Sequence, residues 1–528
     1  MLAMSKHRWF AAVMASLFSL PAAAQSAAET PADLDAYVAK VREQFHVPGV
    51  AIAVVKDGKV VLEKGYGERN LVDRKAVDEH TMFCIASNTK SFTATAIEML
   101  ADEGKLKLDD RVTDHLPWFR MADGYATQDM RVRDLLAHRS GLGPHGGDLL
   151  FVPESNYSSR EVAERLAKLP SASGFRDGFA YENIMFAIAT LVVEQASGQS
   201  YAQFVREHMF APMNMHESRI NADDLKPGDD VVTAYIPRDE DGQLSAVAPI
   251  AWKNAAGAAG IYSTAHDMAK WVQVQLASGQ LPQGGRLFSA QAQQRMWSMV
   301  TPIDIDAPAV PQLAAAAPNF FGYAEGWFLS DYRGQRTVWH PGGFPGTVSL
   351  VTLVPSMHLG IVVLTNQESE DAFNAITLHI LDSFLHAPPT DWIAAYADAA
   401  KLKAAKAGDV APWLHPPEHV KLTLPLAKYA GRYNDDWYGD VVIERKGTGL
   451  RLRFTKTPRL VGSLIPWNHD TFLVHWDDRQ LHADAFIDFT ADAHTGVHEA
   501  HMRRASPRVA PAYDYQDLRL KPVAANDR

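Results

Sequence analysis

The sequence predicts an α+β fold: an antiparallel sheet flanked by helices, with an inserted helical region, followed by a small all-β barrel or sandwich. Three observations point there. Strand-like segments stand at both ends of the first 385 residues with helical segments between them, so the first strands should pair with the last. Residues 390–425 then turn Ala-, Lys- and Pro-rich, as a linker does. From Tyr429 onward short alternating segments recur with turn residues at close intervals.

Residues 32–46 place Leu34, Val38, Val41 and Phe45 on one helical face. Val50 to Val55 and Val60 to Lys64 flank Lys56-Asp57-Gly58-Lys59, a hairpin turning on Asp57-Gly58. After Ser87, the apolar residues Phe92, Ala96, Ile97 and Leu100 follow helical spacing until Gly104 ends the run. Asp134 to His138 reads as a short helix, and Ile184 to Ala196 as a core helix closed by Gly198. Thr264 to Asp267 has the pattern of a capping box, T-x-x-D, ahead of Met268, Trp271 and Val272. Thr337 to His340, Val348 to Val354 and Gly360 to Thr365 read as strands, with a helix from Ala372 to Leu385 after them. Ala394 to Ala407 reads as helical within the linker, before Pro412, Pro416 and Pro417. The C-terminal strands expected are Asp440 to Arg445, Leu450 to Phe454, Thr471 to Trp476, Ala485 to Thr490 and Gly496 to Met502. The aromatics Trp437, Tyr438, Trp467, Phe472 and Trp476 read as barrel core, with a binding stripe as the sharper alternative.

The chain has 528 residues and a formal net charge of −11, which argues against a nucleic-acid partner. Residues 1–24 read as a secretory signal: Lys6 and Arg8, an apolar run from Trp9 to Leu20 too short to span a bilayer, and Ala22-Ala23-Ala24 before Gln25. Cleavage there would take the charge to −13. An exported, periplasmic or secreted protein without stable membrane insertion is expected, the alternative being an uncleaved signal that tethers it. The expected domains are thus 1–24, 25–389, a 390–425 linker and 426–528. The single cysteine, Cys84, excludes an intrachain disulfide. It reads as a small buried apolar residue rather than a thiol nucleophile, because no His or base motif surrounds it. No metal-ligand motif is evident, and no cofactor is called for.

Three short motifs carry chemistry. Ser87 and Lys90 form the only S-x-x-K. Three residues apart on a helix, hydroxyl and amine share a face. A lysine near a helix N-terminus, or buried, has a depressed pKa and can serve as the base that activates a serine. Tyr181-Glu182-Asn183 is the only Y-x-N. Its phenol can relay the serine's proton and its amide can hold a carbonyl, or else Tyr181 anchors a loop and Asn183 caps the next helix. His340-Pro341-Gly342-Gly343 stands at a strand end, where the glycines let a backbone approach closely and the Gly343 N–H can serve an oxyanion. His340 could donate to a substrate or to Tyr181. His145-Gly146-Gly147 shares the H-x-G pattern, but it lies in a loop and is set aside. No G-x-S-x-G elbow occurs.

In this order, the motifs resemble those of the penicillin-recognising serine hydrolase superfamily, in its class C β-lactamase-like branch, which also holds D-aminopeptidases, carboxypeptidases and esterases. Val47 to Ala51, Gly104 to Asp110, Leu135 to Leu142 and Gly260 to Thr264 also resemble that branch, over roughly residues 32–385. The tail from about 426 resembles a lipocalin-like β domain appended to some of these peptidases. The resemblance implies a β-lactamase/transpeptidase-like fold and an acyl-enzyme mechanism on a small peptide, amide or ester. Ser87 would be the nucleophile and Lys90 with Tyr181 the proton-transfer groups. Asn183 would hold a substrate amide or carbonyl, and the N–H groups of Ser87 and Gly343 would form the oxyanion hole. His340 stands where many relatives carry the Lys of K-T-G, and Pro341 where they carry the Thr. Both departures count against recognising the carboxylate of a penicillin, so peptidase, amidase or esterase activity ranks above true β-lactamase activity. The competing readings are a penicillin-binding or sensor protein that acylates and stalls, and a structural protein that kept the fold. The β domain could gate the cleft, bind cell-wall material or mediate a homo-oligomer.

Overall fold

A computed structural model describes residues 30–238, 242–406, 415 and 417–524. The expected signal segment, Pro412, Pro416 and Ala407 lie outside them.

Eight strands form one sheet: β1 (Gly49–Lys56), β2 (Lys59–Gly67), β3 (Thr301–Pro302), β4 (Phe321–Tyr323), β5 (Phe328–Tyr332), β6 (Gln335–Phe344), β7 (Thr347–Val354) and β8 (Leu359–Thr365). Their spatial order is β2-β1-β8-β7-β6-β5-β4-β3. The first strand therefore pairs with the last, antiparallel from Val50↔Thr365 to Lys56↔Leu359. The β1–β2 hairpin turns on Asp57 and Gly58, both at positive φ (52° and 75°), the twist a two-residue hairpin needs.

The apolar runs of β1, β7 and β8 are buried on both faces, and period-2 alternation divides them. Val50, Ile52, Val54 and Val363 pack against helix α1 (Leu34–Gln44) and a late helix at Glu370–Phe384. Ala51, Ala53, Val55 and Val362 face the helical region between the strand groups. That region holds α2 (Thr89–Asp102), α3 (Asn183–Ser197) and α4 (Ala265–Leu276). Gly198 closes α3 in the left-handed conformation at φ 73°. The Thr264 hydroxyl caps α4 by accepting from Asp267 N–H at 3.0 Å. The reciprocal half of the expected capping box is absent, because the Asp267 carboxylate accepts from Glu217 N–H and Ser218 instead.

Helices α5 (Glu370–Phe384) and α6 (Trp392–Lys406) lead to the barrel: β9 (Gly431–Asp435), β10 (Gly439–Lys446), β11 (Gly449–Phe454), β12 (Val461–Asn468), β13 (Thr471–Trp476), β14 (Ala485–Asp492), β15 (Gly496–Arg504) and β16 (Arg519–Pro522). It is closed, with strands in sequence order, so no edge is left. Trp437, Tyr438, Phe472 and Trp476 are buried in its core, and Trp467 is half-buried against Phe486. The barrel docks on the first domain: Arg165 donates to Trp437 O at 2.6 Å, and Asn156 N–H to Lys456 O at 2.7 Å. Among the described residues, no helix is long and apolar enough to cross a membrane.

Candidate active site

Ser87 lies in a 3₁₀ turn, Ala86–Asn88, that runs into α2. Ala86 just before it is held at φ 47°, a left-handed conformation that costs a non-glycine residue about 1 kcal/mol or more. Two clamps hold the turn. The Ser349 hydroxyl on β7 donates to Ile85 O at 2.7 Å and accepts from the Asn88 amide at 2.9 Å. Gly342 on β6 comes so close that a Cβ there would land on Ile85 O and Ser349 Oγ. Ser87 is half-buried, while its neighbours from Thr81 to Phe92 are buried.

One turn on, Lys90 is fully buried, with Nζ 3.0 Å from Ser87 Oγ, 2.6 Å from Asn183 Oδ1 and 3.0 Å from Ala258 O. Burial lowers its pKa from 10.5 to about 7, with the Asp148 carboxylate pulling the other way. A neutral amine has two N–H bonds and one lone pair. The two carbonyl oxygens take the N–H bonds, which leaves the lone pair for the Ser87 hydroxyl.

Asn183 is the first residue of α3, yet its side chain does not cap the helix. Its Oδ1 accepts from Lys90, and its Nδ2 donates to Asp148 Oδ2 at 2.7 Å. The Tyr181 phenol lies beside the Ser87 side chain, which favours its charged form only slightly. Burial holds its phenol well above the usual value, so it stays protonated near neutral pH. Its ring lies 4.8 Å from Lys90 Nζ.

His340 is fully buried, and its two nitrogens meet Pro341 and Tyr323 rather than the Tyr181 oxygen. Nδ1 is 2.7 Å from Pro341 O, which can only accept, so Nδ1 carries the proton. Nε2 then accepts from the Tyr323 hydroxyl at 2.9 Å. Burial and the nearby Lys90 lower its pKa to about 3, and it is neutral at pH 7. The strand ladder explains Pro341. Two-residue hairpins close at Tyr332↔Gln335 and Phe344↔Thr347, so odd residues of β6 face β5 and even ones face β7. The pairing with β5 ends at Trp339, which leaves Pro341 and Gly343 on an open edge. The missing N–H of Pro341 costs no ladder bond, and the Gly343 N–H is left to the cleft. A Cβ on Gly343 would meet open space.

Several participants were not legible in the motifs: Tyr323, the Ala258 carbonyl, Ser349 and above all Asp148. Asp148 is fully buried, accepts from Asn183 and lies 2.9 Å from His145 Nδ1. The loop set aside at His145-Gly146-Gly147 therefore adjoins the site, with the His145 ring 5.7 Å from that of Tyr181. His138 packs, tilted, between Tyr181 and Tyr323, with ring centroids 4.3 and 4.4 Å away and Nδ1 accepting from Glu182 N–H. Cys84 is buried, and burial pushes its thiol up to about 12, so it is no nucleophile.

The family of β-lactamases (Beta-lactamase) matches residues 34–383. The chain belongs to that family. A domain of unknown function (DUF3471) matches residues 415–522, the barrel. Among curated relatives, an unguisins hydrolase of Aspergillus campestris is 27% identical over 474 residues, 84% of this chain and 83% of that protein. Protein flp of Staphylococcus aureus is 27% identical over 339 residues, 64% of this chain and 63% of that protein. The fold is similar to the octameric penicillin-binding protein homologue from Pyrococcus abyssi, at TM-score 0.58 and 21% identity over 92% of this chain and 99% of that one. It is also similar to a class C β-lactamase, at TM-score 0.54 and 20% identity over 66% of this chain and 95% of that one. The α+β β-lactamase-like architecture read from the motif order is thus the architecture of the main domain.

Proposed function

We propose that this member of the β-lactamase family is an exported serine hydrolase that cleaves amide or ester bonds through a Ser87 acyl-enzyme. The observation that carries the reading is the buried amine of Lys90, 3.0 Å from Ser87 Oγ, with both N–H bonds engaged elsewhere. In the first half-reaction Ser87 Oγ attacks the substrate carbonyl carbon, and its proton passes to Lys90. The oxyanion is met by the N–H groups of Ser87 and Gly343, each contributing about 3 kcal/mol by the usual scale of such donors. Tyr181, a neutral phenol, passes the Lys90 proton to the departing amine or alcohol as the carbonyl re-forms. Water then attacks the ester, Lys90 takes its proton, and the proton returns to Ser87 as the acid product leaves. Asn183 orients Lys90 and, at the cleft, the substrate amide.

The third motif supports amide or ester substrates over β-lactams. His340 is neutral and its nitrogens are engaged by Tyr323 and Pro341, so it offers a substrate carboxylate no cation. Pro341 offers no hydroxyl. A homo-oligomer is part of the proposal, supported by the octameric assembly named for the similar Pyrococcus abyssi protein.

The test is labelling by a fluorophosphonate, followed by a panel of D- and L-amino-acid amides, short esters and nitrocefin. Labelling at Ser87, absent in Ser87→Ala, with multiple turnovers on an amide or ester is expected. No labelling would refute the enzyme reading, and a single burst without turnover would favour a protein that acylates and stalls.

A further inference from the structure

The Lys90–Asn183–Asp148 chain does not end within the hydrolase domain. Asp148 sits in the loop His145 to Leu150, whose backbone at Gly147 is left-handed, φ 83°. The two amides that flank Asp148 are both spent on one side chain of the barrel domain. Gly147 N–H donates to Asp514 Oδ2 at 2.7 Å, and Leu149 N–H to Asp514 Oδ1 at 2.9 Å. Asp514 is fully buried, in the segment between β15 and β16. Its two oxygens grip the loop on either side of Asp148 as a two-point clamp, which fixes rotation as well as position. From there the path is continuous. Asp148 holds the Asn183 amide at 2.7 Å, Asn183 Oδ1 holds Lys90 Nζ at 2.6 Å, and Lys90 meets Ser87 at 3.0 Å.

Other barrel contacts lie elsewhere on the interface. Arg459 pairs with Glu154 at 3.2 Å, and Arg165 reaches Trp437 O. Neither touches the loop amides. A side chain that only glued the domains together could sit anywhere on that interface and would gain nothing by burial beside a second carboxylate. Burial and the Asp148 charge both press the Asp514 pKa well above its usual value. Such an arrangement is tolerated where a position must be held.

We propose that Asp514 is a positioning residue for the hydrolase: the barrel sets the orientation of Asp148 through the Gly147 and Leu149 amides, and so the geometry of Lys90 toward Ser87. This rests on the acyl-enzyme reading above. The barrel is then a working part of the catalytic centre rather than an accessory.

Asp514→Asn keeps the shape but offers one acceptor and a misplaced NH₂ to two donors. Acylation should be measured per active site, with the site concentration titrated by fluorophosphonate in the full-length protein. The expected result is at least a tenfold loss of kcat on an activated ester with KM within about threefold, and a displaced acid limb in the pH–rate profile. Asp148→Asn should lower the rate similarly, and the double variant should fall no further than the worse single one, because both act on one chain. Arg459→Gln, a docking contact away from the loop, should lower the unfolding midpoint without changing the per-site rate. An Asp514→Asn protein that acylates at the wild-type per-site rate and pH profile would overturn the proposal. If that variant does not accumulate folded, hydrogen exchange on the wild-type protein decides. The Gly147 and Leu149 amides should exchange as slowly as the barrel strands, and exchange at the rate of an open loop would overturn it. Failure of the wild-type protein to label at Ser87 would instead sink the hydrolase reading itself.

Discussion

The pH dependence of acylation follows from where Lys90 is buried. The drop from 10.5 to about 7 means that charging this amine inside the protein costs about 5 kcal/mol more than in water. On the proposed mechanism the free enzyme acts when Lys90 is neutral, so kcat/KM should rise with pH along a limb of unit slope and level off above about 7. At pH 5 about one molecule in a hundred carries the neutral amine, and the rate should be about a hundredfold below its plateau. Tyr181 does not set this limb, because its phenol is pushed up, away from the neutral range. The assay is kcat/KM on an uncharged activated ester from pH 5 to 9, corrected for titrated active sites. Asp148→Asn supplies the second arm. The Asp148 charge is what raises the Lys90 pKa against burial, so its removal should slide the limb to lower pH even as the plateau falls. A flat profile between pH 5 and 8, or a limb above pH 9, would show that Lys90 is not the base. A limb unmoved in Asp148→Asn would show that the carboxylate does not act on it.

Three further outcomes are expected. Gly342→Ala forces a methyl onto Ile85 O and Ser349 Oγ, so it should lose about 1–3 kcal/mol in urea unfolding and at least tenfold in acylation, whereas Gly343→Ala, built into open space, should match wild-type stability. Cys84→Ser should still label at Ser87, and iodoacetamide should leave the native thiol untouched, since burial keeps it protonated. His340 has a folded pKa of about 3 against 6.5 unfolded, so the unfolded chain binds the proton first and stability is lost as pH falls from 6.5 toward 3; at pH 5, His340→Gln should flatten the slope of unfolding free energy by about 1.4 kcal/mol per pH unit in urea titrations.

How much of this was legible depended on sequence distance. Ser87 and Lys90 are three residues apart, and helical periodicity alone puts them together. The pairing of β1 with β8 was legible too, because Val50 to Val55 and Ile361 to Leu364 are dense apolar runs at opposite ends of a helical stretch. Strands β4 and β5 were not. The segment Phe320 to Tyr332 sets its aromatics at irregular spacing around Gly322 and Gly326, with no alternation to read. With them went Tyr323, the hydroxyl that fixes His340. In the barrel, β12 escaped because Gly462 and Pro466 break its pattern, and the ladder there has a bulge between Pro466 and Asn468. Asp148 was illegible for another reason. A lone Asp in a loop of glycines carries no periodic signal, and its partners Asn183 and Asp514 stand far along the chain.

The fold's contribution to the proposed chemistry is to press its reacting groups toward their neutral forms. Lys90, Tyr181 and His340 come from three separate elements, and burial drives each toward its neutral form. The proton of Ser87 is then the one with somewhere to go, since the amine it meets has its other two directions filled by Asn183 and Ala258. Once that proton moves, an ammonium and an oxyanion appear together in a low-dielectric setting, where each lowers the energy of the other. A neutral His340, tied back to Tyr323 and Pro341, matters most at that instant. A second cation there would compete for the same proton and oppose the ammonium, and the Lys90 charge indeed lowers the His340 pKa beyond what burial does. The side chain that weakens the case for a carboxylate-bearing substrate is therefore the one that keeps Lys90 free to act as the base.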